Sequence, residues 1–369
     1  MSNTLLSNQN QNRVLSIDFF RGFTMFMLVG EFSGFFDTLV QPSFDGSIIS
    51  AIGQHLHHVE WIGLHFWDLI QPFFMFIVGV AMPFSMTRRW NRGDSWNKTF
   101  RHAVTRSLLL LFLGWALYCI GPGKITFRFT NVLAQLSVTY LIAFLLMKKA
   151  VKWQLLVSFL LILASDLLYQ FWSIDGFNQP LTPDHNFGSW FDLALTGTPG
   201  GGYWVAFNAI PTTAHTIWGV IAGMILMNEW APRKKIQTLA IAGIIGVVAG
   251  YSMNPFIPII KHICTSSFVI VSGGWCLIAL AISYWLIDVK NFNKFPVFFA
   301  IVGMNPLFIY LFAHTGGNNL LESIAKPFTN ALFGIFGELS AQMALSLTVW
   351  AMMWYICYFL YKRKVFIKL

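Results

Sequence analysis

The sequence predicts an all-α polytopic membrane protein, about ten transmembrane helices in one bundle with both termini cytoplasmic. Three observations carry that expectation. The 369-residue chain is 56% hydrophobic, 17% aromatic and only 11% charged, where a soluble domain carries about 25% charged residues. Ten apolar runs approach the roughly 20 residues that cross hydrocarbon; they lie near 17–38, 64–86, 103–121, 131–148, 154–172, 206–227, 236–253, 265–287, 296–314 and 339–360. Finally, the basic residues gather in every second loop between those runs, which is how orientation in a membrane is set.

The elements follow in order. The opening MSNTLLSNQNQNR is polar and lacks the apolar stretch of a cleaved signal peptide, so the first helix itself is expected to direct insertion. Residues 1–13 then read as a polar cytoplasmic tail and 14–369 as a single transmembrane domain. The first run begins LSIDFFRGF, and its Asp18 and Arg21, three apart, share a helix face and can neutralise each other. Farther along, Glu31 follows Gly30 as a lone carboxylate at a depth where charge is costly. The second run is introduced by HLHHVEWIGLHFWDLIQPFF, with His55, His57, His58, Glu60, Trp61 and His65 ahead of it and Asp68 and Gln71 inside it. An unsatisfied polar group at that depth costs several kcal/mol by order of magnitude.

The next loop, TRRWNRGDSWNKTFRH, sets Arg88, Arg89, Arg92, Lys98 and Arg101 against a single acid, Asp94. KKAVKW after the fourth run, NEWAPRKK after the sixth, DVKNFNK after the eighth and the closing YKRKVFIKL repeat the bias. If ten helices alternate, all of these lie on one side, which the positive-inside rule makes cytoplasmic. The opposite loops, 39–63, 173–205 and 315–338, are longer and poor in Lys and Arg. His58 therefore faces outward. The fourth run carries Asn131, Gln135 and Thr139 on one face behind Arg128; the sixth carries Asn208, Thr212, His215 and Thr216. Lys261, Thr265 and Ser266 introduce the eighth, and Asn305 precedes Pro306 in mid-run, where a kink frees backbone carbonyls.

Several function classes fall away. The formal charge of +9 comes from alternate loops rather than from a basic stripe with interleaved aromatics, so no nucleic-acid partner is expected. Cys119, Cys264, Cys276 and Cys357 are scattered and form no CxxC pair. HLHH lacks a third ligand at helical spacing, and no HExxH is present, so no metal is expected. TGTPGGGYW fits neither phosphate-binding glycine pattern and reads as a hinge or lid. On the residues alone, His58 is equally an interfacial histidine or a general base or nucleophile. Polar clusters at the outer ends of most helices point to an outward-opening cavity, which serves an acyltransferase or a transporter alike.

Six segments go further: LSIDFFRGF at 15–23, HVEWIGLHFWDLIQPFFMFIVG at 58–79, NVLAQLSVTY at 131–140, IPTTAHTIWGVIAG at 210–223, PIIKHICTSSF at 258–268 and GMNPLFIY at 303–310. Together and in this order they resemble the heparan-alpha-glucosaminide N-acetyltransferase family, the lysosomal transmembrane acetyltransferase and its bacterial relatives. HxxWxG followed by DLxxPFF is the most specific of the matches. The resemblance implies transfer of acetyl from cytoplasmic acetyl-CoA, a co-substrate, to the amine of a terminal glucosamine across the membrane. It places the active-site histidine at His58, with Glu31 or Asp68 orienting the ring or holding the ammonium. Substrate contacts are expected at Trp61, Asn208, Lys261, Thr265 and Asn305, and contacts to the CoA phosphates at Arg88, Arg89, Lys98 and Arg101, the latter by charge.

Departures from the family pattern touch the acceptor more than the reaction. Gly30 and Glu31 stand where an asparagine pair is common, and FNAIPTT with Asn208 where an acidic start is common. The lumenal segment of the animal enzyme has no counterpart, which implies a bacterial member in the inner membrane. The expected partners are an amino-sugar substrate and the lipid bilayer, with a homodimer left open. The rival readings are a sugar or glycan transporter or flippase, and an O-acyltransferase of a surface glycan.

Overall fold

The apolar runs fold as helices, and no strand forms among the described residues, 14–198, 202–292 and 294–367 of a computed structural model. The tail expected at 1–13 lies outside them. In chain order the helices are α1 (Leu15–Phe32), the short α2 (Phe35–Leu39), α3 (Ile48–His55), α4 (Ile70–Asn91), α5 (Trp96–Ile120), α6 (Val132–Leu146), α7 (Val151–Phe171), α8 (Phe187–Thr196), α9 (Ala209–Met227), α10 (Pro232–Met253), α11 (Ser266–Tyr284), α12 (Lys294–Gly303), α13 (Pro306–Phe312), α14 (Asn318–Phe333) and α15 (Glu338–Lys362). A 3-10 turn, Phe66–Leu69, leads into α4, and another, Ala206–Asn208, into α9. Starts are chemically marked. Ser95 accepts from the Lys98 N–H, Asn131 from Ala134 and Asn186 from Ser189, each satisfying a donor that the first helical turn leaves free.

Among the described residues seven helical segments are long and apolar enough to cross a membrane: Phe66–Asn91, Trp96–Ile120, Val151–Phe171, Ala206–Met227, Pro232–Met253, Ser266–Val289 and Glu338–Lys362. The ninth expected span is broken. Phe295–Gly303 and Pro306–Phe336 pass that test only together and are bent by 67°, because Pro306 at the start of α13 cannot extend α12. The two remaining runs fall short of the same standard. α1 holds Asp18, Arg21 and Glu31, and α6 has 15 residues. The first run also ends before residue 38: Gly34, with φ +73°, turns the chain at Phe32 and starts α2 in a new direction. The loops expected at 39–63, 173–205 and 315–338 are not wholly irregular, for α3, α8 and α14 form within them.

Two ends of the bundle are defined by their contacts. At the basic end the Lys148 ammonium lies 4.2 Å from the Trp90 ring centre, and Asp288 accepts from the N–H groups of Leu15 and Ser16 at 2.9 and 3.1 Å. At the opposite end Gly63 donates to Ile259 O at 2.8 Å and Trp61 to Leu181 O at 2.8 Å. Between them, α4 is the central helix, with Met75, Phe76, Ile77 and Val80 buried. It packs on α9 backbone to backbone. A Cβ at Gly219 would run into Phe76 O, one at Gly223 into Val80 O and one at Gly79 into Thr216 O. Small residues four apart give that close approach, a common device between membrane helices.

Candidate functional site

His58 lies in the irregular stretch between α3 and the turn at Phe66–Leu69. That stretch is held by one carboxylate. Asp68 Oδ2 accepts from the His65 N–H at 2.9 Å and the Val59 N–H at 3.4 Å, so the acid that opens the apolar helix also folds the loop before it. The second oxygen, Oδ1, lies 2.7 Å from His58 Nδ1. A carboxylate only accepts, so the 2.7 Å contact is met by a proton on Nδ1, which leaves Nε2 with a lone pair; in that tautomer the Lys261 Nζ, 3.1 Å from the same nitrogen, donates to Asp68 and not to the ring. Nε2 makes no hydrogen bond among the described residues, and the side chain is 36% exposed. One edge of the imidazole is enclosed and the other is open.

Lys261 completes the cluster. Only 4% exposed, it comes from the segment before α11 and brings Nζ to 3.1 Å from His58 Nδ1 and 3.6 Å from Asp68 Oδ1. Burial lowers the His58 pKa from its ordinary 6.5 and the Lys261 charge lowers it further, against the opposing pull of Asp68. Burial likewise lowers Lys261, while Asp68 works to keep it charged. The resulting picture is a neutral imidazole beside an ion pair. Around the ring stands an aromatic wall. Trp204 meets His58 edge-on at 5.3 Å and lies 4.1 Å from the ring of His262; Trp61 stacks on His262 at 5.4 Å, with Tyr203 beside it at 5.9 Å. Burial, with Lys261 next, pushes His262 down to about 4.

The residues expected from sequence divide. His58, Asp68 and Lys261 converge, and Trp61 joins the wall. Asn208 supports the cluster from behind, donating through Nδ2 to His262 O at 2.7 Å while fully buried. Thr265 is spent on its own segment, donating to Pro258 O at 2.8 Å and accepting from the Ile260 N–H at 3.1 Å. Glu31 reaches the site at one remove: it accepts from Trp67 Nε1 at 2.9 Å, the neighbour of Asp68, and not from His58. Gln71 donates to Gln135, which donates to Thr130 O at 3.1 Å, so this pair serves the helix contact. Asn305 lies with the C-terminal segment, donating to Val365 O at 3.0 Å and accepting from the Ile367 N–H at 2.8 Å. Arg88, Arg89, Lys98 and Arg101 stand at the basic end. Lys98 is held by Asp94 at 2.5 Å, Arg89 donates to His102 at 2.9 Å, and Arg88 and Arg101 are exposed.

Trp204 and His262 are absent from the sequence-derived site. The only local signal was their position, next to a glycine run and next to Lys261. Of the hinge expected at TGTPGGGYW, residues 199–201 lie outside the described residues. Among the described residues no three His, Cys, Asp or Glu side chains converge as metal ligands.

Comparison with known proteins bears on the chemistry. No family profile matches the chain. Over 138 residues, 36% of its length, it is 32% identical to heparan-alpha-glucosaminide N-acetyltransferase of Mus musculus. Over 137 residues, 35% of its length, it is 31% identical to the Homo sapiens protein of the same name. The chain spans 18% of the length of these curated relatives.

Proposed function

We propose that this chain is a membrane N-acetyltransferase that moves acetyl from acetyl-CoA to the amine of a terminal glucosamine or related amino sugar. The observation that carries the reading is the half-open imidazole of His58, its Nδ1 fixed by Asp68 and its Nε2 unengaged, in a chain similar to two named acetyltransferases. CoA is too large and too anionic to cross, so its nucleotide stays at the basic end while the thioester reaches toward His58. The sugar approaches from the opposite end, where Trp61, Tyr203 and Trp204 offer ring faces for a pyranose. In a ten-span chain with cytoplasmic termini, that end is periplasmic and the membrane is a bacterial inner membrane.

Two routes use the same atom. In direct transfer, Nε2 takes a proton from the sugar ammonium and the freed amine attacks the thioester carbonyl; the C–N bond forms as the C–S bond breaks. The departing thiolate takes the proton from the imidazolium, and the second amine proton goes to water. In the covalent route, Nε2 itself attacks and an acyl-imidazolium forms as the thiolate leaves; the thiolate takes one proton from the sugar ammonium, the freed amine displaces the imidazole, and the second amine proton goes to water. Asp68 positions the ring in both, and Lys261 keeps Asp68 ionised and the imidazole neutral. Purified protein incubated with acetyl-CoA alone separates the routes. Stoichiometric CoA release with one acetyl group on the peptide containing His58 marks the covalent route, and neither signal marks direct transfer. Failure to release CoA with any of several amino sugars overturns the enzyme reading in favour of a transporter. A product ester cleaved by mild alkali reassigns the chain to O-acyl transfer.

A further inference from the structure

Arg106 is a charge that the His58 site does not use. It sits ten residues beyond Trp96 on α5, about 15 Å into the helix, within a segment apolar enough to cross a membrane. Among the described residues no carboxylate comes within ion-pair distance of it. Its guanidinium lies 4.6 Å from the ring centre of Tyr140 on α6, and its Nε is enclosed and donates to nothing. Tyr140 is 1% exposed, and its hydroxyl is likewise enclosed without a partner. One helical turn earlier, and on the same face, His102 accepts from Arg89 Nη2 at 2.9 Å. The acid nearest Arg89 is Asp94, 3.9 Å away and already held at 2.5 Å by Lys98.

Arg89 thus has a share in one carboxylate and Arg106 has none, with His102 between them, accepting from the first and one helical turn from the second. In an apolar segment, that imbalance is costly unless an anion joins them. The planar forks of Arg match the oxygens of a phosphate, and a buried phenol adds a donor. We propose that Arg106, with Arg89, His102 and Tyr140, forms a binding site for a phosphate ester at the basic end of the bundle. Resting on the proposed acetyl-CoA reaction, the ester is a phosphate of CoA; an anionic phospholipid headgroup offers the same chemistry. Of the four cations expected to meet CoA, only Arg89 belongs to this site.

The test uses the full chain in phosphatidylcholine nanodiscs, with CoA and phosphate-free pantetheine titrated calorimetrically against wild type, Arg106→Gln and Arg106→Lys. The site predicts CoA binding about tenfold weaker or more in Arg106→Gln, as expected for a lost charge-assisted contact, unchanged pantetheine binding, and partial recovery in Arg106→Lys, which also serves if Arg106→Gln is misfolded. Discs containing phosphatidylglycerol form the second arm. If they raise the melting temperature of wild type but not of Arg106→Gln while CoA affinity stays level, the site stands and its ester is a lipid. If the variants match wild type in both arms, the site is overturned. Wild type that binds no CoA at all overturns the donor assigned under the proposed function, and the lipid arm still decides the site.

Discussion

At His58 burial and the Lys261 charge pull the imidazole below 6.5, Asp68 pulls it upward, and the downward influences win. A base works when deprotonated, so kcat/KM is expected to rise through an apparent pKa below 6.5 and to level off before neutrality. Lys261→Met removes a lowering influence and moves that acid limb to higher pH. Asp68→Asn removes a raising one and moves it to lower pH, and it also frees the ring to take the wrong tautomer, with a rate loss on the order of 10²–10⁴. Opposite shifts from the two variants are the check; shifts in one direction would contradict the arrangement. His58, Asp68 and Lys261 were legible in the sequence because charge and imidazole stand out against apolar runs. Their union was not, since Lys261 and His58 are 203 positions apart and no local spacing encodes that contact. Trp204 and His262 were not legible either, because an aromatic residue near a membrane surface is ordinary.

Among the elements, α8 shows what hydropathy leaves unread. It is a short helix started by Asn186, and its Asp192 accepts from the Ala206 N–H at 2.9 Å, tying it to the segment that carries Tyr203 and Trp204. Burial pushes the Asp192 carboxyl up to about 6 from 3.8, against the Ala206 N–H and the Arg128 charge. A folded pKa above the unfolded one favours folding below 3.8 and loses that contribution as pH rises through about 6. Asp192→Asn is therefore expected to melt above wild type at pH 8 and level with it near pH 4; an equal offset at both values would refute the cause. For α4 and α9 the decisive contact is backbone on backbone, and Gly219→Leu is expected to lower the melting temperature sharply, where Leu at the exposed Ile241 position is neutral. Long spans were readable from length and apolarity. Breaks such as Gly34 and the 67° bend depend on backbone turns that a count of apolar residues does not see.

For the molecule as a whole, acetyl transfer across a membrane requires two ends facing two compartments, with the basic loops at one and His58 at the other. In a chain whose four cysteines are replaced by alanine, single cysteines at Asp184 and Lys98 test this with a membrane-impermeant maleimide on intact cells. Residue 184 is expected to label directly and residue 98 only after permeabilisation; labelling from one side would remove the trans-membrane geometry. Transfer itself is tested most directly by supplying the purified chain with acetyl-CoA and glucosamine and measuring free CoA together with the mass of the sugar product. Wild type is expected to give an alkali-stable N-acetyl sugar and an equal amount of CoA, and His58→Ala to lose both. No CoA from wild type with any amino sugar, or turnover by His58→Ala at the wild-type rate, would contradict that expectation.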